Sequence, residues 1–229
     1  MRDRSSAAYQ NLFNQPHPLV TICIATYNRG PLLLERSVAS SLRQTYRNIQ
    51  VIVVGDCCTD DTARLMATVR DNRLSFVNLP ERGNYPTEPL LRWMVAGSVP
   101  MNHALGLAEG AFVTHLDDDD EHGPDRVEKL LSFIQQERAD LVYHPFRSEN
   151  ESGGWTVNEA SRFARRNVTT SSIFYHRWFT DLGWDPLSYR LREPGDWNRL
   201  RKIRFLGART RRHPDILLSH FRERNQRND

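Results

Sequence analysis

Residues 111–120 read AFVTHLDDDD, an apolar run that ends in four consecutive aspartates. The apolar part predicts a strand, and aspartate is disfavoured in strands, so the strand should end at about Asp117. Four adjacent carboxylates repel one another, so the run must be solvated, cap a helix or be neutralised by a cation. Pro124 then suits the first turn of a new helix. The run is therefore predicted to lie at the carboxyl edge of a strand, where open α/β sheets bind ligands.

A β-α-β pattern near the start of the chain predicts the same architecture. Residues 19–25 (LVTICIA) and 49–54 (IQVIVV) are short apolar runs, and an amphipathic stretch at 31–44 separates them. Nearly continuous apolar runs are typical of strands that are covered on both faces, as in a parallel sheet. We therefore predict an α/β fold with a mostly parallel sheet. Further predicted elements are a helix at 63–70, a strand at 74–79, helices at 101–109 and 124–136, and a strand at 139–146.

Composition limits the class of protein. The 229 residues are 39% hydrophobic, which is enough for one domain with a proper core. The three cysteines show no C-x-x-C spacing, which argues against a zinc or redox site and fits a reducing cytosol. The opening residues lack the apolar core of a signal peptide, and no apolar run approaches the ~20 residues that span a bilayer. The sequence thus predicts a cytoplasmic location.

Two segments depart from this regular pattern. Residues 80–100 contain Gly83, Pro86, Pro89, Gly97 and Pro100, which predicts a loop inserted near the site with one or two helical turns at 90–95. Residues 199–229 hold ten Lys or Arg against three Asp or Glu. Such a basic end can contact nucleic acid, anionic lipids or ligand phosphates, or it can be solvated surface.

Polar residues at three predicted strand ends carry a resemblance to a known family. The stretches are residues 25–29 (ATYNR), 51–62 (VIVVGDCCTDDT) and 108–126 (AEGAFVTHLDDDDEHGPDR). In order and spacing they resemble the family 2 inverting glycosyltransferases of the GT-A fold, over about residues 18–203. Departures are Gly55, where the family usually has its first Asp, and Cys57-Cys58, where Gly-Ser is common.

The resemblance implies a fold and a domain plan. The fold is a single-domain, Rossmann-like α/β/α sandwich with a central, mostly parallel sheet. A polar N-terminal extension (1–17) precedes the GT-A domain (18–213), and a basic tail (214–229) follows it. Within the domain, residues 18–122 form the nucleotide-sugar-binding half and 123–213 the acceptor-binding half. The implied activity is metal-dependent inverting transfer of a sugar from a UDP-, dTDP- or GDP-sugar to a hydroxyl acceptor, in surface glycan or polysaccharide synthesis.

The resemblance also implies roles on the donor side. It assigns Asp56 to the nucleobase; its carboxylate can accept the ring N–H of uracil, thymine or guanine, whereas cytosine lacks that donor. A departing diphosphate calls for a hard divalent cation with oxygen ligands, Mg²⁺ or Mn²⁺. Matching the family's Asp-x-Asp motif makes Asp119 the direct metal ligand and leaves Asp120 a supporting role. His220 is a second candidate ligand, with a surface histidine as the alternative. The remaining predicted nucleotide-sugar contacts are Ala25, Thr26, Tyr27, Arg29, Asp117 and Asp118.

The acceptor side has fewer matching residues. Gly195-Asp196-Trp197 opens a predicted helix and resembles the motif that supplies the family's general base, so Asp196 is the predicted catalytic residue. Glu193 is the near competitor, and a helix cap is the structural alternative for Asp196. Trp197 is predicted to contact the acceptor sugar, and Ser171 and Ser172 its hydroxyls.

Two other functions remain open from the sequence. A sugar nucleotidyltransferase uses a related fold but opens with a Gly-rich loop, which TYNRG is not. A non-catalytic nucleotide-sugar-binding module would not need Asp196. The predicted partners are a nucleotide-diphosphate sugar donor and a glycan, lipid-linked or other hydroxyl acceptor, without nucleic acid. Peripheral contact of the basic tail with the inner face of the membrane is a further expectation.

Overall fold

The computed structural model describes residues 4–222. Its strands form a seven-stranded sheet and a smaller four-stranded sheet. The strands are β1 (Val20–Thr26), β2 (Ile49–Gly55), β3 (Leu74–Asn78), β4 (Phe112–His115), β5 (Glu121–His122), β6 (Leu141–Tyr143), β7 (Phe146–Glu149), β8 (Trp155–Asn158), β9 (Ile173–His176), β10 (Thr210–Arg212) and β11 (Leu218–His220).

The large sheet has the order β10-β6-β9-β4-β1-β2-β3. β9 runs antiparallel to both of its neighbours, and the other recorded pairs in this sheet are parallel. The chain moves outward from β1 to β3 and then returns to place β4 on the other side of β1. This reversal of strand order creates a crevice at the carboxyl ends of β1 and β4, where open α/β sheets bind ligands. The predicted α/β sandwich with a mostly parallel sheet is confirmed.

Both faces of the central strands are buried, which explains their continuous apolar sequence. Successive side chains of a strand point to opposite faces of the sheet. Accordingly, Ile22 and Val53 belong to one apolar cluster, whereas Cys23 and Ile52 belong to a second. All four are fully buried.

Helices cover these faces. They are α1 (Ala7–Asn14), α2 (Gly30–Leu32), α3 (Ala39–Leu42), α4 (Thr62–Met66), α5 (Pro89–Val95), α6 (Ser98–Leu107), α7 (Arg126–Glu137) and α8 (Gly195–Phe205). A π-helical segment, Leu33–Val38, connects α2 to α3. The sequence predicts one regular amphipathic helix here, and its periodicity does not reveal the π segment. Such segments often occur at functional sites.

The two ends of the described chain differ from expectation. The predicted polar extension contains α1, and its Tyr9 and Phe13 pack in the core. The Tyr9 hydroxyl also donates a hydrogen bond to the buried Asp140. Two polar-rich segments near the C-terminus form strands: β10 pairs with β6, and β11 joins β5, β7 and β8 in the small sheet. Most of the acidic and basic tail residues, from 223 onward, lie outside the described residues.

Two further points concern the middle of the chain and the membrane. The strand predicted at 139–146 divides into β6 and β7 around His144-Pro145, because proline supplies no backbone N–H to a strand ladder. No helix within residues 4–222 is long and apolar enough to cross a bilayer. The predicted domain boundaries stay predictions.

Candidate active site

Polar side chains meet where β1, β2 and β4 end. Thr26 is the last residue of β1 and pairs in register with Gly55 of β2. The Asp56 backbone N–H donates to the Thr26 carbonyl at 2.9 Å. On the other side, the Thr26 hydroxyl donates to Asp118 Oδ2 at 2.7 Å. The structure thus brings together strand ends that lie 92 residues apart in the chain.

The π-helical segment holds the backbone of the aspartate run. The Ser37 hydroxyl donates to the Asp117 carbonyl at 2.7 Å. The neighbouring Arg36 donates through Nη1 to the Asp119 carbonyl at 2.9 Å. Neither residue is identified as part of the site by the sequence, because both belong to an ordinary amphipathic pattern.

Two of the four carboxylates bind an arginine. Arg29 Nη1 lies 3.1 Å from Asp118 Oδ1 and 2.8 Å from Asp119 Oδ2. Burial raises the pKa of Asp118 to about 6, although the Arg29 charge opposes this rise. Arg29 therefore neutralises part of the charge at the middle of the run.

The other two carboxylates lie beside His220. Ligand atoms of Asp117, Asp120 and His220 all lie within 4.8 Å of one another. His220 Nδ1 is 2.8 Å from Asp120 Oδ2, and the Phe221 N–H donates to Asp120 Oδ1 at 2.9 Å. The Ser171 hydroxyl contacts Asp117 Oδ2 at 3.0 Å. We call Asp117, Asp120 and His220 the carboxylate-histidine group.

The carboxylate-histidine group fits a divalent cation. Burial, together with the charges of Asp120 and Asp119, raises the pKa of Asp117 to about 7. The hydrogen bond to Asp120 raises the pKa of His220 to about 9. Clustered, buried carboxylates that ionise reluctantly gain from a nearby cation, and carboxylate oxygens suit Mn²⁺ and Mg²⁺. The His220 imidazole must lose its proton before it can bind a metal. The geometry groups Asp120, not the predicted ligand Asp119, with His220, and the choice of Asp119 stays a prediction. Asp119 instead contacts Arg29.

The predicted nucleobase site is covered by the segment 80–100. Asp56 is 3% exposed, and the backbone N–H of Gly83 donates to its Oδ1 at 2.9 Å. Arg82 Nε is 4.0 Å from Asp56 Oδ2, and the Arg82 guanidinium lies 3.5 Å from the centroid of the Tyr27 ring. Ala25 lies near the other end of this segment, since a Cβ on Gly97 would be 3.8 Å from that of Ala25. The insertion therefore packs on the strand ends, as predicted for a loop near the site.

Asp196 lies in the first turn of α8 with few partners. The backbone N–H of Trp197 donates to its Oδ1 at 2.5 Å. Burial raises the pKa of Asp196, a rise that this hydrogen bond and the charge of Arg165 oppose. By contrast, Glu193 forms an ion pair with Arg201 at 2.8 Å. Of the two candidates, Asp196 has the carboxylate better prepared to accept a proton.

Arg199 connects α8 to the aspartate-bearing strand. Its Nη2 donates to the Tyr175 hydroxyl at 3.0 Å, and that oxygen lies 2.6 Å from His115 Nε2 at the end of β4. At the start of α8, a Cβ on Gly195 would lie only 3.2 Å from the Met94 carbonyl. The N-terminus of α8 therefore rests against the same insertion that covers Asp56.

The structure places the predicted acceptor contacts Ser171, Ser172 and Trp197 in packed surroundings, and their roles stay predictions. Ser171 and Ser172 are fully buried. Ser171 hydrogen-bonds to Asp117, while Ser172 and Thr169 form a capping box. Neither serine hydroxyl is open to an acceptor. Trp197 is half-buried and its ring lies 6.5 Å from that of Phe163, which favours a packing role.

A buried arginine that sequence reasoning missed lies behind Asp117. Arg126 is fully buried and donates to the carbonyls of Ser171 and Ile173 at 2.9 and 3.0 Å. It also donates to His144 Nε2 and Thr114 Oγ1, each at 3.0 Å. Arg126 therefore fixes the segment whose Ser171 hydroxyl contacts Asp117. Arg126 is the last residue of the stretch 108–126 that carries the family resemblance, but the sequence did not indicate a role for it.

Proteins with sequences similar to this chain act in bacterial polysaccharide synthesis. The putative colanic acid biosynthesis glycosyl transferase WcaA of Escherichia coli K12 is 31% identical over 137 residues, 59% of this chain and 43% of WcaA. The E. coli enzyme WfaP, a UDP-Glc:alpha-D-GlcNAc-diphosphoundecaprenol beta-1,3-glucosyltransferase, is 30% identical over 166 residues, 69% of this chain and 61% of WfaP. The chain thus spans less than two thirds of either relative.

Solved structures share the fold. Staphylococcus aureus TarS 1-349 in complex with UDP-GlcNAc superposes with a TM-score of 0.71 at 19% identity, covering 90% of this chain and 59% of that one. The mannosyltransferase PcManGT of Pyrobaculum calidifontis, in complex with GDP-Man and Mn²⁺, gives a TM-score of 0.63 at 19% identity, with coverage of 95% and 63%. These likenesses confirm the GT-A fold.

A family model ties the sequence to the strand ends described above. The model described as "Glycosyl transferase family 2" matches residues 21–86 and 96–200. The two matched parts include β1, β2 and β4 with the polar residues that follow them, together with the start of α8. The chain belongs to glycosyl transferase family 2.

Proposed function

We propose that this chain transfers a sugar, with inversion, from a nucleoside-diphosphate sugar to a hydroxyl acceptor in a divalent-metal-dependent reaction. The observation that carries the proposal is the meeting of Tyr27, Asp56 and the carboxylate-histidine group along one sheet edge. The family match and the fold shared with nucleotide-sugar-bound proteins support it.

The donor nucleotide binds at the ends of β1 and β2 in this proposal. Asp56 accepts the ring N–H of uracil, thymine or guanine, and Tyr27 offers a ring for stacking. Thr26 and Arg29 hold Asp118, which contacts the nucleotide sugar in this proposal. Arg82 and Gly83 now contact Tyr27 and Asp56, so this part of the 80–100 segment must adjust when the base enters.

The cation, Mn²⁺ or Mg²⁺, would be held by Asp117, Asp120 and His220. When bound, it supplies positive charge that stabilises the departing nucleoside diphosphate. Ser37 and Ser171 keep the run in place through the Asp117 carbonyl and carboxylate. Asp118 and Asp119 form ion pairs with Arg29. The family resemblance implies Asp119 as the metal ligand instead of Asp120. Substitutions of Asp119 and Asp120 distinguish the two assignments.

Asp196 acts as the general base in the proposal. It accepts the proton of the acceptor hydroxyl as that oxygen bonds to the anomeric carbon and the bond to the diphosphate breaks. The raised pKa of Asp196 strengthens the carboxylate as a base. The Arg199 contacts keep α8 beside β4 throughout.

A turnover assay tests this function. The chain is incubated with UDP-, dTDP- and GDP-sugars and a panel of hydroxyl acceptors, with Mn²⁺ or with EDTA, and release of nucleoside diphosphate is measured. We expect metal-dependent release that increases with the right acceptor. Pyrophosphate release from a nucleoside triphosphate and a sugar 1-phosphate would instead identify a nucleotidyltransferase. Binding without any turnover would identify a binding module.

The acceptor class and location are also proposals. The relatives' roles in colanic acid synthesis and on a diphosphoundecaprenol-linked acceptor favour a glycan or lipid-linked acceptor at the cytoplasmic face of the membrane. The predicted membrane contact through the basic tail falls largely on residues outside the described range.

A further inference from the structure

Four large apolar side chains project into solvent from two elements beside α8. Leu90 and Trp93 lie on α5, whereas Leu187 and Leu191 flank or end the 3-10 helix Ser188–Leu191. Their exposed fractions are 58%, 59%, 47% and 61%. Single exposed apolar residues are ordinary, but neighbouring ones mark an interaction surface. We call these four residues the apolar patch.

The two elements that carry the apolar patch pack on each other. Leu90 and Trp93 are three residues apart on a helix and therefore share one face. The close approach of Gly195 to the Met94 carbonyl fixes the same insertion against the start of α8. The apolar patch consequently lies next to the turn that carries Asp196.

Uncompensated positive charge accompanies the apolar patch. Arg92 on α5 and Arg190 and Arg192 around the 3-10 helix form no ion pair within residues 4–222. Three nearby acidic groups have other partners: Glu193 binds Arg201, Asp185 binds Lys202, and Glu88 accepts the N–H groups of Leu90 and Leu91 at the start of α5. Asp196 accepts the Trp197 N–H. The surface therefore combines exposed Leu and Trp with guanidinium groups that are open to an anion.

We propose that the apolar patch docks on an anionic lipid bilayer. Leucine and tryptophan suit the boundary between acyl chains and head groups, and the arginine side chains can lie along that boundary while binding lipid phosphates. A second copy of the chain is a poorer occupant, because a symmetric contact would bring two sets of the same three arginines together. This inference does not depend on the proposed reaction.

Vesicle co-sedimentation of the full chain tests the proposal. The vesicles contain phosphatidylcholine alone or an equal mixture with phosphatidylglycerol. We expect binding to the anionic vesicles only, and weaker binding as salt rises. Two variants, Leu90→Ser/Trp93→Ser/Leu191→Ser and Arg92→Gln/Arg190→Gln/Arg192→Gln, should each lower the partition coefficient at least roughly tenfold. Phe205→Ser, which removes an 88% exposed apolar side chain at the far end of α8, is the matched control and should bind as the wild type.

Three results would overturn the proposal. They are equal binding to neutral and anionic vesicles, unchanged binding of both triple variants, and loss of a wild-type dimer in the apolar variant by light scattering. The last result would identify a self-association surface. Thermal unfolding and UDP binding of each variant confirm that the fold and the nucleotide site are intact. Failure of vesicle binding with intact turnover would leave the proposed function standing.

Discussion

Two regions of the proposed site hold their carboxylates in opposite ways. One is the edge of the sheet at the ends of β1, β2 and β4, which we call the donor edge, and the other is the start of α8. At the donor edge, Asp117 to Asp120 are fixed by hydroxyl, arginine and histidine side chains. On α8, the recorded hydrogen bond to the Asp196 carboxylate comes from a backbone N–H. The difference matches the proposed tasks, since a metal and nucleotide site needs fixed geometry whereas a base must keep a lone pair available for a proton.

The sharpest test of this contrast is Asp196→Asn. Removing a general base costs roughly 10²- to 10⁴-fold in rate, so we expect kcat for transfer to fall by that factor while binding of the donor nucleotide is kept. The matched control is Glu193→Gln, because Glu193 lies three residues away and is ion-paired. Transfer at the wild-type rate by a folded Asp196→Asn variant would refute the role of Asp196.

Arg126→Met tests how the donor edge is held. The substitution leaves the His144 ring, the Thr114 hydroxyl and two carbonyls without their donor, so we expect a loss of about 3 kcal/mol in the free energy of unfolding. Urea denaturation measures it. Arg201→Met, which removes a partly exposed ion pair, should cost no more than about 1 kcal/mol. Equal losses would show that Arg126 does not hold this edge.

Asp120→Asn and Asp119→Asn separate the two assignments of the metal ligand. Loss of an outer-shell partner typically weakens metal binding about 10- to 100-fold. From the geometry we expect Asp120→Asn, which removes a proposed direct ligand, to weaken Mn²⁺ activation at least this much, and Asp119→Asn to weaken it less. Activation constants from Mn²⁺ titrations of the transfer rate give the comparison. The reverse order would favour the ligand implied by the family resemblance.

The pH profile is the mildest probe of the contrast. Asp196 must be deprotonated to act, and burial raises its pKa, so the rate should fall about tenfold per pH unit below that raised pKa. We therefore expect the acidic limb of kcat to lie above the range of an ordinary aspartate. In Asp196→Asn, the residual rate should lack this limb. A limb unchanged by the substitution would belong to another group.

The sequence predicted the donor edge better than the acceptor side. Parallel strands align their carboxyl ends, so Thr26, Asp56 and Asp117 could be expected to meet from the apolar runs alone. His220 was predicted from the family resemblance alone, and the apolar pattern did not indicate that Ser171 would contact Asp117 or that Arg126 would hold the Ser171 carbonyl, because these contacts join parts of the chain that are distant in sequence. Ser172 stays a predicted acceptor contact, and its capping box with Thr169 is a local feature that the sequence pattern did not reveal.

The π-helical segment and the burial of α1 were also not predicted from the sequence. The π-helical segment that presents Arg36 and Ser37 has the same apolar spacing as an α-helix. Tyr9 and Phe13 lie in a polar stretch, and their burial follows from contacts with β4 and β9, far along the chain. The periodicity of a sequence indicates which face of an element is apolar. The π-helical segment and the burial of Tyr9 and Phe13 depend on the residues against which that face packs.

Calorimetric titration of UDP, dTDP and GDP into the chain tests the central claim most directly, because it needs no acceptor. We predict binding of at least one of the three with Mn²⁺ present, a large loss with EDTA, and a large loss in Asp56→Asn and in Asp120→Asn. Nucleotide binding that is equally tight with EDTA and in both variants would contradict a metal-assisted nucleotide site at the ends of β1, β2 and β4.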